Sequence, residues 1–159
     1  MTMVLLLCLL LGVACGLRAL TPAAVVCWAA HLGWIVLTGS HLAFLSSLIA
    51  AVIFTVFAIG ELIGDKTSKI GPRTAPVGLG ARIVMGALCG AALAIAGHIG
   101  HAGHIGGAIA GAIGAIAGTF IGFRTRRALT APGKLPDLPV ALVEDLITIG
   151  GSLFLVTRF

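Results

Sequence analysis

The sequence predicts an all-α fold, a polytopic bundle of about six transmembrane helices. Hydrophobic residues make up 59% of the 159 residues and charged residues only 9%, with a mean hydropathy of +1.17. So little charge cannot keep the surface of a soluble globule hydrated. The length accommodates about six spans of roughly 20 residues with short loops. We therefore expect residues 1–159 to form a single integral membrane domain.

Six apolar runs are the predicted spans. The first two are short, so we expect them to tilt, or to extend by snorkelling of Arg18. The start of the chain has some features of a secretion signal with Cys15 as a lipidation point. However, it carries no Lys or Arg before the apolar run, so we interpret it as the first transmembrane helix. The runs are Met3 to Leu17, Ala23 to Leu37, Leu42 to Ile63, Leu79 to Gly97, Ile105 to Phe123 and Leu138 to Thr157.

The basic residues are distributed unequally between the two sides of such a bundle. If all six runs cross, only Arg158 lies on one side, and the positive-inside rule places the other side in the cytoplasm. Both termini then face outward. The net charge of +5 is explained by this topology, and we expect no nucleic-acid partner. The cytoplasmic residues are Arg18, Lys66, Lys69, Arg73, Arg82, Arg124, Arg126, Arg127 and Lys134.

The stretch AIGELIGDK, residues 58–66, places Glu61, Asp65 and Lys66 at the end of an otherwise apolar run. A carboxylate at the centre of a bilayer costs about 2.5–3.5 kcal/mol on insertion scales, so such a residue usually has a partner or a task.

More charged residues are predicted at the same cytoplasmic depth. They lie at the end of the first run, at the start of the fourth and within the sixth, and an arginine fork facing a carboxylate offsets the desolvation of both groups. We therefore predict a charge-pair or ion-binding cluster. A purely structural role, in which these charges cap helices and fix their register, is the alternative. The candidate residues are Arg18, Glu61, Asp65, Lys66, Arg82, Glu144 and Asp145.

Histidines recur every three residues at His98, His101 and His104, with glycines between them. On a continuous helix the three rings would share a face, where they could ligate a metal or relay protons. Glycine makes the segment a poor helix, so our first interpretation is a solvated turn, and a metal site is the second.

The cysteines are predicted to be core residues. All four lie inside apolar runs without CxxC spacing, so we expect neither a disulfide nor a metal site, and no cofactor. They are Cys8, Cys15, Cys27 and Cys89.

Small residues form a stripe on the fifth run, with a milder version at Gly86 and Gly90 on the fourth. Steps of three and four residues place these glycines on one face, which favours close approach of another helix from the same chain or from a second copy. Lining of a narrow path is the alternative. The stripe consists of Gly107, Gly111, Gly114, Gly118 and Gly122.

Four strings in order resemble a bacterial membrane family called domain of unknown function 4126. The strings are GLRALTP at 16–22, GELIGDK at 60–66, RTAP with GARIVMGALCGA at 73–91, and PVALVEDLITIG at 139–150. The resemblance covers nearly the whole chain. It implies a multi-pass α-helical protein of the bacterial inner membrane and supplies no activity.

Two classes of function fit these observations. The first is a transporter or channel for an ion or small solute, in which Glu61 and Glu144 change charge while Arg18 and Arg82 act as counter-charges, with Asp65 and Asp145 in support. The second is a non-transporting scaffold that binds lipid or protein through its basic face and glycine stripe.

An enzyme is not expected. The sequence contains neither HExxH nor GxSxG, and the adjacent Glu144 and Asp145 diverge by about 100° on a helix. Membrane lipid is the expected partner, and the small size of the chain favours a homodimer.

Overall fold

The computed structural model describes residues 1–64, 76–130 and 136–159, and within them the chain is helical, with no strand. The secondary structure consists of α1 (Thr2–Leu17), α2 (Thr21–His31), a 3-10 turn (Ala43–Ser46), α3 (Leu48–Gly64), α4 (Pro76–Ala96), α5 (Gly100–Leu129) and α6 (Asp137–Val156). The predicted all-α bundle is confirmed at this level. Asp65, Lys66, Lys69, Arg73 and Lys134 lie outside the described residues.

Helix lengths divide the bundle into two groups. α4, α5 and α6 are each long and apolar enough to cross a membrane, which indicates a membrane protein. α1 and α3 are apolar but shorter, with 16 and 17 residues, and α2 has only 11. The second predicted run is therefore shortened, because α2 ends near Gly33, whose φ of +77° is a left-handed conformation that stops a helix.

The central packing unit consists of α1, α4 and α5, held together by glycines. A Cβ on Gly111 of α5 would collide with the backbone of Gly86 on α4, and a Cβ on Gly12 of α1 would collide with the backbone of Gly111. Gly90 meets Gly107 in the same way. The glycine stripe is thus a contact surface between helices of the same chain, whose backbones approach more closely than any larger residue permits.

The same contacts give the helix directions. Gly12 and Gly16 of α1 lie against Gly111 and Ala115 of α5, so these two helices run in parallel. α4 is antiparallel to both, since Gly86 and Gly90 pair with α5 in descending order. Two ends of the bundle can then be named: the histidine end holds His98, His101 and His104, and the arginine end holds Arg124, Arg126 and Arg127.

The other helices surround this unit. α2 and α3 pack side by side, with the indole N–H of Trp28 donating to Thr55 Oγ1 at 2.9 Å. α6 packs on α1 and α2. Gly97 contacts Val4 and Phe159, so the chain terminus returns to the histidine end.

α1 stops well short of the arginine end. Its Gly16 contacts Thr119, and α5 continues from Thr119 to Leu129 beyond that point. At 1.5 Å per residue this extension is about 15 Å long. The junction between α1 and α2 therefore lies inside the bundle, flanked by the longer helices.

Candidate functional site

The α1–α2 junction carries a buried ion pair. Arg18, which directly follows α1, is 1% exposed, and its Nη2 lies 2.6 Å from Oδ1 of Asp145 on α6, which is 7% exposed. Burying both charges together is tolerated because each offsets the desolvation of the other. The pair joins the first helix of the chain to the last.

Among the residues that the structure describes, Glu61 binds backbone amides at this junction and no arginine. Its Oε1 accepts the backbone N–H of Ala19 at 2.8 Å, and its Oε2 accepts that of Leu20 at 2.9 Å. These two amides lead directly into α2, so the carboxylate lies at the positive end of that helix. α3 is thereby attached to the start of α2.

Glu144 belongs to a second cluster, closer to the arginine end. Arg126 of α5 donates from Nε and Nη2 to the two carboxylate oxygens of Asp137, at 2.8 and 2.7 Å. Its Nη1 lies 3.8 Å from Oε2 of Glu144, which is buried. One guanidinium group therefore bridges two carboxylates of α6.

Arg126 and Asp137 were not among the candidate residues predicted from sequence. The sequence placed them in a polar connection, where charges are ordinarily solvated. A usable signal was their position, since Arg126 lies in the last turn of α5 and Asp137 in the first turn of α6. Those are the helix ends at which a cation and an anion are favoured.

Arg82 is buried at the level of the ion pair. Its Nη1 donates to the carbonyl of Gly78 on its own helix at 3.2 Å. Gly86, one turn away, packs on Ala115, so Arg82 lies near the level of Thr119 and hence of Arg18. Among the predicted residues, the structure brings Arg18 and Asp145 into contact, places Glu61 at the adjacent amides and aligns Arg82 in depth. Asp65 and Lys66 lie outside the described ranges.

A cleft of about 400 Å³ lies directly beyond the end of α1. It opens between α5 and α6, because α1 no longer fills the space between them. Its walls are mainly apolar, and Arg126 and Glu144 supply the charged groups. The lining residues include Leu17, Ile121, Leu129, Val140, Val143 and Ile147. Leu17 directly precedes Arg18, so the cleft lies beside the segment that carries the buried ion pair.

Two buried hydroxyl groups lack a hydrogen-bond partner among the described residues. Thr21 Oγ1 lies in the first turn of α2, and the residue is 5% exposed; Ser152 Oγ lies on the buried face of α6, and the residue is 0% exposed. Thr148, between Asp145 and Ser152 on that face, donates to the carbonyl of Glu144 at 2.8 Å. Unpaired buried hydroxyls are costly, so each needs an explanation.

The histidines do not assemble a three-residue metal site. His98 adopts a φ of +52° in the turn before α5, while the rings of His101 and His104 lie 5.6 Å apart in its first turns. Within the described ranges, no group of three His, Cys, Asp or Glu residues is placed to hold a metal ion. The turn separates His98 from the other two rings.

The four cysteines are buried and unpaired by disulfides. The thiol of Cys8 donates to the carbonyl of Gly90 at 3.2 Å and so contributes to the contact between α1 and α4.

Comparison with known proteins gives one finding. The family model described as "Domain of unknown function (DUF4126)" matches residues 5–158. No curated protein and no solved structure matches the chain.

Proposed function

The chain belongs to the DUF4126 family, and on that premise we propose that it is a bacterial inner-membrane transporter or channel for an ion or a small solute. All six helices cross or enter the bilayer in this proposal, the arginine end faces the cytoplasm and both termini face outward. The basic residues at that end, Arg124, Arg126 and Arg127, support this orientation.

The observation that carries the proposal is the cleft beyond the end of α1, which has the buried carboxylate of Glu144 in its wall. A structural salt bridge requires no opening beside it. Here α1 stops about 10 Å before the level of Arg126, by the rise of the seven residues that follow Thr119 on α5. The space left open reaches from the arginine end to Leu17, next to Arg18. Ionisable groups at such a depth commonly mark ion or substrate pathways.

Glu144 and Asp145, adjacent on α6, have different roles in this proposal. Glu144 borders the cleft, where it can be reached from the arginine end, and Asp145 holds Arg18 in the interior. A solute that enters the cleft meets Glu144 and Arg126 first. Exchange of a counter-charge at Glu144 would then change the electrostatic potential at Asp145 and Arg18, because Glu144 and Asp145 are adjacent in the chain.

The test is flux through liposomes that contain the purified protein. Vesicles loaded with potassium, sodium, chloride or a proton gradient are expected to show flux of at least one of these ions. Glu144→Gln, which removes the charge at the cleft, is expected to abolish it. Arg158→Gln is the matched control, since Arg158 stacks on Phe154 at the opposite end. Vesicles with the wild-type protein that are as tight as protein-free vesicles to all four ions would overturn the proposal.

The apolar walls of the cleft favour a second candidate, a scaffold that binds a lipid chain or a second copy of the protein. Most of the lining residues, among them Val143 and Ile147, are apolar. Co-purification of lipid in a fixed ratio, lost when Val143→Trp fills the cleft, together with tight vesicles, would favour this function over transport.

A further inference from the structure

We propose that residues 32–47, the connection between α2 and α3, insert into the lipid leaflet at the histidine end, where their exposed apolar side chains contact the acyl chains. The partner of this surface is the bilayer itself, bound by a segment that is not a spanning helix. The inference goes beyond the proposed function, because it concerns how the bundle is anchored and holds whether or not an ion crosses.

The composition of the α2–α3 connection is that of a segment in contact with lipid. It contains no Asp, Glu, Lys or Arg, although connections between helices are ordinarily polar. It carries Trp34, and the only other tryptophan of the chain, Trp28, lies in the last turns of α2. Tryptophan is enriched where a protein meets the membrane surface, because its ring is apolar and its N–H group is a donor.

The exposed side chains of the connection form an apolar surface. Ile35 and Leu37 are only 2% and 1% exposed and fix the segment on the bundle. The residues that alternate with them, Trp34 and Val36, are 47% and 52% exposed, and Phe44 is 54% exposed. Large apolar side chains exposed together mark a contact surface rather than a water-facing loop.

Hydrogen bonds within the protein satisfy much of the backbone of this connection, although it contains no α-helix. The N–H group of Trp34 donates to the carbonyl of Ala29 on α2 at 2.8 Å. The hydroxyl groups of Ser40 and Ser47 each donate to the carbonyl three residues earlier, at 2.7 and 2.8 Å. Backbone groups in a lipid environment need partners within the protein, because no water replaces them. This pattern supports a position in the leaflet.

Helix lengths place the connection beside the spanning helices and short of their tip. Glu61 of α3 binds the amides that lead into α2, so both helices are measured from the α1–α2 junction. From there α2 extends about 15 Å to His31, and α3 extends about 20 Å to Leu48. α5 extends about 28 Å from Thr119, at the same level, to Gly100. The connection therefore begins and ends before α5 does.

The apolar surface continues directly onto α3. The first turns of that helix expose Ile49, Val52 and Ile53, and the whole helix is apolar. In a membrane protein such a helix surface contacts lipid. One continuous apolar surface is covered at the lowest free energy by one apolar environment, which is the acyl-chain region of the leaflet.

The experiment measures tryptophan fluorescence of the full chain in lipid vesicles. Trp28→Phe leaves Trp34 as the sole tryptophan. Lipids brominated on their acyl chains quench a ring that lies among those chains, whereas iodide quenches a ring in water. We expect the brominated lipids to remove most of the Trp34 emission and iodide to leave it unchanged. If Trp28→Phe does not fold, subtracting the emission of Trp34→Phe from that of the wild type isolates the same signal.

His101→Trp, in a chain with phenylalanine at positions 28 and 34, is the matched control. His101 is exposed in the first turn of α5, beyond the level of the connection. Iodide should quench this ring, and the brominated lipids should not. Quenching of Trp34 by iodide as strong as that of the control would overturn the inference. Protection of Trp34 from both quenchers would indicate that protein, such as a second copy of the chain, covers it, and would overturn the inference as well.

A charge placed in the connection gives a second readout. Val36→Asp puts a carboxylate on an exposed side chain, which meets no packed neighbour but lies among acyl chains in this proposal. We expect a loss of most of the protein inserted in the membrane. His101→Asp should be inserted as the wild type is. Equal insertion of the two variants would contradict the placement of residues 32–47 in lipid.

Discussion

The glycine-packed unit of α1, α4 and α5 differs from the charged junction between α1 and α2 in what holds it together. In the first, helices touch through backbone atoms at Gly12, Gly86 and Gly111. In the second, contacts run through long polar side chains such as those of Arg18 and Glu61. The first arrangement leaves no space for an added atom, whereas the second borders an open cleft. One bundle thus combines a closely packed half with a charged half that borders an open space.

The largest effect is expected from a large side chain in the glycine-packed unit. Gly111→Leu would drive a side chain into the backbone of Gly86, and overpacking of this kind costs about 3 kcal/mol or more. We expect loss of folded protein on size-exclusion chromatography. Gly150→Ala is the control, since no atom lies within 4 Å of its added Cβ. It should be neutral or stabilising by about 0.5–1 kcal/mol because alanine favours a helix. Similar losses for both variants would show that the close contact is not what matters.

The next effect comes from breaking the buried ion pair. Arg18→Gln leaves Asp145 charged in the interior, which costs about 3–5 kcal/mol, whereas the double variant Arg18→Met, Asp145→Leu should recover much of that loss. Thermal unfolding in detergent measures both. If the double variant recovers stability but not flux, the pair serves function rather than folding. If the double variant lost as much stability as its two single variants together, the two residues would act independently.

A smaller change of opposite sign is expected at the unpaired hydroxyls. Thr21→Val and Ser152→Ala each remove a buried group without a partner in the described part of the chain, and should stabilise the protein by about 1 kcal/mol. Thr55→Val, which removes a hydroxyl that is hydrogen-bonded to Trp28, should destabilise it instead. A loss of stability in Thr21→Val would contradict this account of an unsatisfied hydroxyl.

The smallest effect is expected at the exposed end. Asp137 is more than half exposed, so Asp137→Asn should cost no more than about 1 kcal/mol, and less at high salt. Unfolding at two salt concentrations checks this. A loss of stability as large as that of Arg18→Gln would show that the buried charge cluster extends to the arginine end.

The two halves also differ in how well the sequence predicts them. Glycine spacing on α5 is local, so the packing face could be predicted from residues 107–122 alone. The partners of the charges depend on where helices end. Arg18 and Asp145 are 127 positions apart, and Glu61 binds amides that carry no sequence signal. The cleft exists because α1 ends early inside the bundle. Hydropathy does not predict that end, because the first apolar run and the turn after it have the pattern of an ordinary transmembrane span.

Water access to the cleft is the most direct test of the central claim, that an opening from the arginine end reaches the buried charges. Val143→Cys lines the cleft, and Leu142→Cys lies beside it, exposed but outside the lining. Both variants are made in a chain whose four buried cysteines are replaced by alanine. A membrane-impermeant maleimide applied from the arginine end should label Val143→Cys and leave Leu142→Cys, which the proposed topology places towards lipid, unlabelled. Equal resistance of the two positions to labelling from both sides would contradict the account.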